Sequence, residues 1–216
     1  MRDLFDDAAE AAAAREPLGP GAVLLRGFCA GAAEALLAAL RQVVDAAPFR
    51  RMVTPGGYRM SVAMTNCGAA GWVTDRAGYR YEAIDPESGR PWPAMPPVFR
   101  DLAQRAAAEA GFSGFDPDAC LVNRYEPGAK LSLHQDRDER DFGQPIVSVS
   151  LGLPATFLFG GPKRTDPQRR LRLRHGDVLV WGGPSRLAFH GIAPLQEGEH
   201  PMLGRRRLNL TFRKAL

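Results

Sequence analysis

The chain has 216 residues, of which 45% are hydrophobic and 24% are charged, a composition typical of a soluble globular domain. Its net charge of +4 is compatible with a polyanionic partner but does not require one. No run of about 18 apolar residues occurs and the first residues include several acids, which argues against a membrane span and a secretory signal peptide. The three cysteines are an odd number without Cys-x-x-Cys spacing, so we expect a cytoplasmic protein without disulfides or a cysteine zinc site.

The N-terminal half combines helical patterns with one short apolar run. Ala-rich residues 3–15 predict a short helix ended by Pro17, and residues 21–28 predict a buried strand. Apolar residues at i, i+3, i+4 spacing predict helices over 31–47 and 98–110. These two helices present one apolar face each, so both are expected to pack on another layer.

From residue 119 onward the pattern changes to short strands separated by turns. The predicted strands cover residues 119–125, 130–135, 146–153, 155–159, 171–174, 178–181, 186–190 and 206–213. Eight short strands predict a double-stranded β-helix (jelly roll) or a related barrel, with the helices covering one outer face. We therefore expect one α+β domain: N-terminal helical support over 1–48, a loop- and hairpin-rich segment over 49–96, and the barrel core over 116–216.

Two candidate metal ligands lie at the end of one predicted strand. Side chains at i and i+2 of a strand point to the same face, so His134 and Asp136 can converge on one ion. A second histidine would complete the triad that leaves three positions open on ferrous iron. His190, at a strand end, fits this role better than His175, which is placed in a turn, or His200, which is placed in a solvated loop. A solvated polar strand end is the alternative for the His-x-Asp pair.

The last predicted strand has one polar face and one apolar face. Its polar face consists of Arg207, Asn209, Thr211 and Arg213. If the apolar face packs on the helices, the two arginines point into the barrel, where each needs an anionic partner. A bound dicarboxylate is such a partner, because a guanidinium binds a carboxylate through two hydrogen bonds. Asn123 and Tyr125 share a face on another strand and could bind the same ligand. The alternative for the last strand is an edge strand whose polar face is exposed to solvent.

Residues 49–96 combine many glycines and prolines with interleaved cations and aromatic side chains. Turns are expected at 55–57 and around 77–78. Aromatic rings beside phosphate-binding cations are typical of surfaces that bind unpaired nucleotides. The alternative is a loop-rich subdomain whose aromatic side chains fill its own small core.

Four stretches together resemble a known family. They are NRYEPGAKLSLHQDRDE (123–139), PIVSVSLGLPATFLFGG (145–161), HGDVLVWGGPSRLAFHGI (175–192) and RLNLTFR (207–213). In these residues the chain resembles the AlkB alkylation-repair dioxygenases, which depend on iron(II) and 2-oxoglutarate. Weaker resemblance extends through Trp72 and residues 79–81, and the first 20 residues have no clear counterpart. Leu208 departs from the aromatic residue expected at its position, but it should face away from the site.

The resemblance implies a role for each residue of the predicted site. His134, Asp136 and His190 would bind Fe(II). The residues that would hold the co-substrate 2-oxoglutarate are Asn123, Tyr125, Arg207, Asn209 and Arg213. With O₂, the cofactor would hydroxylate an alkyl group on a base nitrogen, and the product would release formaldehyde while 2-oxoglutarate becomes succinate and CO₂.

The resemblance further implies that the damaged nucleotide leaves its stack to reach the iron. Trp72 would stack on the flipped base, and Asp138 would favour the cationic bases 1-methyladenine and 3-methylcytosine over neutral ones. Further substrate contacts would come from Tyr79, Arg80, Tyr81 and Arg164. The segment 49–96 would then be a nucleotide-recognition lid. The expected partner of this monomer is alkylated DNA, preferably single-stranded, with RNA as a second substrate.

Two other functions stay open at this point. The same dioxygenase could hydroxylate a substrate that is not a nucleic acid. Alternatively, the barrel could bind nucleic acid without catalysis and keep its metal as a structural element.

Overall fold

The structure, a computed structural model, describes residues 15–216. Its strands are β1 (Arg15–Gly19), β2 (Ala22–Leu25), β3 (Ala63–Gly68), β4 (Gly71–Asp75), β5 (Gly78–Glu82), β6 (Ala119–Tyr125), β7 (Leu131–His134), β8 (Ile146–Gly152), β9 (Ala155–Phe159), β10 (Arg169–Leu173), β11 (Val178–Trp181), β12 (His190–Ile192) and β13 (Arg207–Arg213). The α-helices are α1 (Ala33–Ala46) and α2 (Pro97–Glu109). Within this described range, no helix has the length and apolar character that crossing a membrane requires.

The strands assemble into two sheets and a separate hairpin. The larger sheet has the order β1-β2-β11-β8-β13-β6-β3, the smaller sheet has the order β10-β9-β12-β7, and β4 pairs with β5. All pairings within the two sheets are antiparallel. The predicted α+β architecture with a jelly-roll core is thereby confirmed.

The larger sheet has one face on the helices and one face on the smaller sheet. Alternation in β13 turns Leu208, Leu210 and Phe212 toward α1 and α2, where they join one apolar cluster. A second cluster, which includes Phe157 and Trp181, fills the space between the sheets. The prediction that the helices cover one outer face is confirmed, and Leu208 faces away from the barrel interior as expected. The polar face of β13 therefore lies inside the barrel.

The N-terminal part differs from the prediction. Most of the helix predicted for 3–15 lies outside the described residues, but Arg15 and Pro17 belong to β1. This strand forms a hairpin with β2 at the edge of the larger sheet. The described part of the segment predicted as helical support therefore contributes two strands as well as α1.

The predicted strand over 186–190 is wrong. A 3-10 turn occupies Gly183–Ser185, and His190 begins a strand instead of ending one. Arg186 is buried, and its burial is tolerated because its guanidinium donates to the carbonyl oxygens of Gln144 and Asp136, at 3.0 and 2.9 Å. These are contacts with distant parts of the chain, which the local alternation of polar and apolar residues does not reveal.

The segment 49–96 is partly integrated into the larger sheet. Its strand β3 pairs with β6, while β4 and β5 form the predicted hairpin with a turn at 76–77. The side chain of Asn66 bonds the backbone N and O of Trp72, both at 3.0 Å, which ties the hairpin to β3. Val73 and Trp92 join the core between the sheets. The segment therefore shares its core with the barrel and does not fold around a core of its own.

Candidate active site

Two histidines face each other across neighbouring strands of the smaller sheet. His134 on β7 and His190 on β12 are direct register partners, and their ring centroids are 4.3 Å apart. Nδ1 of His134 is 2.8 Å from the carbonyl oxygen of Ser132, and Nδ1 of His190 is 2.9 Å from that of Ala188. In the neutral imidazole that donates from Nδ1, the lone pair is on Nε2. Both Nε2 atoms are thus available to a metal ion.

Asp136 completes this group. One of its carboxylate oxygens lies 3.8 Å from Nε2 of His134, and the other lies 3.8 Å from Nε2 of His190. The three ligand atoms lie within 4.8 Å of one another, and no other such group of three was found among residues 15–216. Burial, together with the nearby His134, lowers the pKa of His190 to about 4. The imidazole is therefore neutral at physiological pH, the form that binds a metal.

Arg213 holds the carboxylate of this group. Its Nε and Nη2 donate to Oδ2 of Asp136 at 3.0 and 2.8 Å. Burial alone would raise the pKa of Asp136, but Arg213 and the two histidines hold it well below its usual range. The carboxylate is therefore ionised and has a defined orientation. The prediction placed Arg213 beside the co-substrate, and the structure places its guanidinium directly on the carboxylate of the triad.

Arg207 is a buried cation of the barrel interior with incomplete hydrogen bonding. It is 1% exposed, its Nη2 donates to Oγ of Ser150 at 3.0 Å, and its guanidinium lies 5.0 Å from the ring centroid of Tyr125. Its Nε and Nη1 have no hydrogen-bond partner within the described part of the chain. A buried cation with two unused donors is costly without an anion, and a carboxylate group would match both donors.

Polar side chains of β6, β8 and β13 line the same interior. Nδ2 of Asn123 donates to Oδ1 of Asn209 at 3.3 Å, and Nδ2 of Asn209 donates to Oγ of Ser148 at 2.8 Å. Oδ1 of Asn123 is buried without a hydrogen-bond partner in residues 15–216. Burial raises the pKa of Tyr125, so its hydroxyl stays protonated. The structure thus brings together all five residues predicted for the co-substrate.

The predicted base-stacking residue, Trp72, contacts the chain two residues after the triad residue Asp136. Nε1 of Trp72 donates to Oδ2 of Asp138 at 2.7 Å, and the Trp72 ring stacks on Tyr79 with centroids 5.6 Å apart and planes 16° apart. Arg164 is exposed, with its guanidinium 5.0 Å from the ring centroid of Phe189, the residue before His190. Trp72, Tyr79, Asp138 and Arg164 therefore all lie at or near the segments that carry the triad.

Two other predicted contacts are engaged within the protein. Arg80 forms ion pairs with Asp75 and Glu82 on its own hairpin, at 2.9 and 2.6 Å. The hydroxyl of Tyr81 points inward and donates to Oε1 of Glu139 at 2.7 Å. Neither group is free for substrate in this conformation.

The sequence analysis missed several buried polar residues of the site. Glu139 and Arg186 form a buried ion pair at 3.0 Å close to Asp136, and no local pattern indicated it. Ser148 and Ser150 do have a signal: they alternate within the otherwise apolar strand Ile146–Gly152, and both side chains are buried. Polar residues at period 2 in such a strand indicate a polar interior.

The other two histidines lie outside the triad. His175 occupies the predicted turn, and its Nδ1 accepts a hydrogen bond from the backbone N of Gly152 at 3.0 Å. His200 was predicted to be solvated, but it is half-buried and stacks on His175 with centroids 4.5 Å apart. Stacking on a residue distant in sequence explains why the polar flanks of His200 were misleading.

Comparisons with known proteins agree with this geometry. The model of the 2OG-Fe(II) oxygenase superfamily matches residues 21–213. The chain is 62% identical over 215 residues to "Alpha-ketoglutarate-dependent dioxygenase AlkB" of Escherichia coli, covering 100% of this chain and 98% of that protein. It is 35% identical over 161 residues to "DNA N(6)-methyladenine demethylase ALKBH1C" of Arabidopsis thaliana, covering 62% of this chain and 35% of that protein.

The solved structure titled "The structure of OsALKBH1" superposes with a TM-score of 0.79 at 31% identity, covering 93% of this chain and 100% of that chain. The family implies Fe(II), 2-oxoglutarate and O₂. The residues present fit these components, since the triad offers two imidazole nitrogens and a carboxylate, and Arg207 offers two unused donors to a dicarboxylate. From its sequence, its fold and this site, the chain belongs to the 2OG-Fe(II) oxygenase superfamily and, within it, to the AlkB family of dioxygenases.

Proposed function

We propose that this dioxygenase oxidatively dealkylates bases such as 1-methyladenine and 3-methylcytosine in DNA, and that it accepts RNA as a second substrate. The observation that carries the proposal is the hydrogen bond of 2.7 Å between Trp72 and Asp138, two residues beyond Asp136. An aromatic ring and a carboxylate at this position match a flipped, positively charged base. The similarity to a protein named as a DNA demethylase supports the same substrate class.

Each group of residues has a distinct task in this proposal. His134, Asp136 and His190 hold the iron, and Arg207 binds the distal carboxylate of 2-oxoglutarate inside the barrel. Asn123, Tyr125, Asn209 and Arg213 complete the polar wall around that co-substrate. When bound, iron, 2-oxoglutarate and O₂ together supply the oxidation of a C–H bond.

The products follow from the balance of the reaction. One oxygen atom of O₂ enters succinate, formed with CO₂ from 2-oxoglutarate, and the other enters the N-methyl group as a hydroxyl. The N-hydroxymethyl base then loses formaldehyde and regains its ordinary form. Succinate and formaldehyde should therefore appear in equal amounts.

The segment 49–96 serves as the nucleotide-recognition lid in this proposal, above the core formed by 116–216. Trp72 stacks on the base, while Tyr79, Arg80, Tyr81 and Arg164 contact the nucleotide after the lid adjusts. We expect single strands to be preferred, because extruding a base from a duplex costs unpairing and unstacking energy. We also infer a monomer, because one chain supplies the whole site, and a cytoplasmic location, because all three cysteines are free and buried.

The test is anaerobic loading with Fe(II) and 2-oxoglutarate, followed by a 1-methyladenine oligonucleotide and O₂. We expect succinate and formaldehyde in a ratio near one. Asp138→Asn should lose turnover on this cationic base, while the matched control Asp101→Asn, on the exposed side of α2, should not. No formaldehyde from the loaded enzyme would contradict the proposal. Full activity of both Asp138→Asn and Trp72→Ala would show that this pair does not recognise the base, and would remove the observation on which the nucleotide assignment rests.

A further inference from the structure

Glu139 is a buried carboxylate to which the catalytic steps above assign no task. Its side chain is 2% exposed, yet it accepts two hydrogen bonds and forms a further ion pair, with partners from three different parts of the chain. Oε1 accepts from the hydroxyl of Tyr81 at 2.7 Å and lies 3.3 Å from Nε of Arg213, and Oε2 accepts from Nη2 of Arg186 at 3.0 Å. Three partners for one buried carboxylate indicate a specific arrangement and not an accidental ion pair.

Both arginines that bind Glu139 also hold Asp136. Arg213 donates to the carboxylate oxygen Oδ2 of Asp136, at 3.0 and 2.8 Å. Arg186 donates from Nη1 to the backbone oxygen of Asp136 at 2.9 Å. One arginine thus fixes the side chain of this ligand, the other fixes its main chain, and Glu139 is the acceptor that the two share.

The charges of this cluster depend on Glu139. Asp136 and Glu139 supply two buried negative charges, and Arg186 and Arg213 supply two buried positive charges. Without Glu139, Asp136 alone would face two buried cations. Its carboxylate would then be less available to a divalent metal ion, because the added positive potential opposes the ion at short range.

Tyr81 connects the same cluster to the hairpin β4–β5. Trp72 and Tyr81 are direct register partners on this hairpin. Trp72 bonds Asp138 and Tyr81 bonds Glu139, both at 2.7 Å. The hairpin therefore contacts two consecutive carboxylates, the second and third residues after the ligand Asp136.

We propose that Glu139 is a positioning residue for the ligand Asp136 and that, through Tyr81, it couples nucleotide binding at the hairpin to metal binding at the triad. A nucleotide that moves the hairpin changes the hydrogen bond on Oε1 of Glu139. Arg213 lies 3.3 Å from that oxygen and also donates to Oδ2 of Asp136, so the change reaches the metal ligand. Coupling of this kind is reciprocal, so the metal must change the affinity for the nucleotide by the same factor. Only the nucleotide part of this inference rests on the proposed function.

The first test is a metal titration without nucleotide. Glu139→Gln keeps the shape of the side chain and removes its charge. Under anaerobic conditions we expect its affinity for Co²⁺ or Mn²⁺ to fall about 10-fold or more, with an altered visible spectrum of the bound Co²⁺. The control is Glu109→Gln on the exposed side of α2, which should bind as the wild type does. Wild-type affinity together with a wild-type spectrum in Glu139→Gln would overturn the inference.

The second test uses a milder change, since removing the charge from a buried ion pair is strongly destabilising. Tyr81→Phe deletes one oxygen atom and leaves the ion pairs in place. In the wild type we expect an unreactive complex of Mn²⁺ and a methylated oligonucleotide to show at least about 5-fold tighter metal binding than the nucleotide-free chain. In Tyr81→Phe this ratio should approach one. Equal ratios in the two proteins would overturn the coupling.

The two tests separate this inference from the proposed function. The titration of Glu139→Gln contains neither nucleotide nor O₂, so it reports on positioning alone. If the wild type releases no formaldehyde while Glu139→Gln still binds metal more weakly, the proposed substrate is wrong and the role of Glu139 in positioning Asp136 stands.

Discussion

At the residue scale, burial of the Arg207 guanidinium lowers the stability of the fold but prepares the site to bind an anionic ligand. Its guanidinium is 1% exposed and two of its nitrogens lack acceptors within residues 15–216. Burial lowers the pKa of Arg207 for the same reason that it destabilises the charge. A protein keeps such a group when a ligand supplies the missing anion.

We therefore predict opposite effects of Arg207→Met on stability and on co-substrate binding. Without ligand, the free energy of unfolding should rise by about 1–3 kcal/mol, because an uncompensated buried cation is removed. The affinity for 2-oxoglutarate in the presence of Mn²⁺ should fall at least about 30-fold, equivalent to about 2 kcal/mol. Urea unfolding and a binding titration measure the two effects. Unchanged affinity for 2-oxoglutarate would show that Arg207 does not bind it.

A second residue, Asp85 in the segment 49–96, makes a pH-dependent contribution to the stability of the fold. It is buried and accepts from Nη1 and Nη2 of Arg50 at 2.8 and 2.5 Å. Burial alone would raise the pKa of Asp85, but Arg50 and nearby donors hold it below the ordinary value. A carboxyl group whose pKa is lowered by folding stabilises the fold above its unfolded pKa of about 4, and this contribution is lost as pH falls through the folded pKa.

Asp85→Asn should accordingly destabilise the protein by about 1.5–3 kcal/mol at pH 7. The difference between wild type and variant should shrink as pH falls below about 4. The exposed pair of Arg100 and Asp116 provides a control, because Asp116→Asn should change stability by less than about 1 kcal/mol. Urea unfolding over a range of pH measures both, and a difference that does not depend on pH would contradict this account.

At the element scale, the triad depends on the close pairing of β7 and β12. Gly191 follows His190 on β12, and a Cβ there would lie 2.7 Å from the backbone oxygen of Leu131 and 3.2 Å from the backbone N of Leu133. Backbone atoms of a paired strand cannot move aside without separating the strands. The absence of a side chain at this position thus keeps His134 and His190 close together.

Gly191→Ala should consequently separate the two histidines. We expect metal affinity to fall at least about 10-fold and the free energy of unfolding to fall by about 1–3 kcal/mol. Gly31→Ala is the matched control, since its Cβ would meet nothing within 4 Å. Metal titration and urea unfolding of both variants test the expectation, and a Gly191→Ala protein that binds metal normally would refute it.

The local pattern of polar and apolar residues predicted most strands of the barrel correctly, but it did not predict which charged residues are buried. The strands over 119–125, 155–159 and 178–181 were predicted with the observed bounds, because alternation or an apolar run is a property of neighbouring residues. The strand predicted over 186–190 failed because Arg186 is buried by contacts with residues more than 40 positions away. Long-range contacts of this kind override local propensity.

At the scale of the whole molecule, β10 forms a positively charged edge of the smaller sheet. Arg170 and Arg172 point outward because Leu171 and Leu173 between and beyond them are buried. Among residues 15–216, neither guanidinium has a charged partner, whereas the neighbouring Arg169 lies 3.8 Å from Glu16. The strand begins level with the triad, since Arg169 pairs with Phe159, which pairs with His190. Two exposed cations without a charged partner in residues 15–216 suit the phosphates of a nucleic acid strand that lies along this edge.

The double variant Arg170→Gln, Arg172→Gln should therefore bind single-stranded DNA of about 20 nucleotides more weakly. The slope of log K against log salt should decrease by about 1.4, or 0.7 for each lost phosphate contact. Turnover of a methylated trinucleotide should not change. The control, Arg41→Gln with Arg105→Gln on the helical side, should keep the wild-type slope. An unchanged slope in the β10 variant would mean that its charges serve only to protect the strand edge.

The sequence by itself indicated the jelly roll, the polar face of β13 and the pair of His134 and Asp136, because periodicity and short spacing decide which side chains share a face. It also named His190 as the third ligand, although the strand predicted to carry it was wrong. The tertiary structure alone decided which of those side chains meet. Arg213 binds Asp136, and Glu139 joins Tyr81, Arg186 and Arg213. These partners come from strands and turns far apart in the chain, and a buried charge takes whichever partner the packed elements bring within hydrogen-bonding distance.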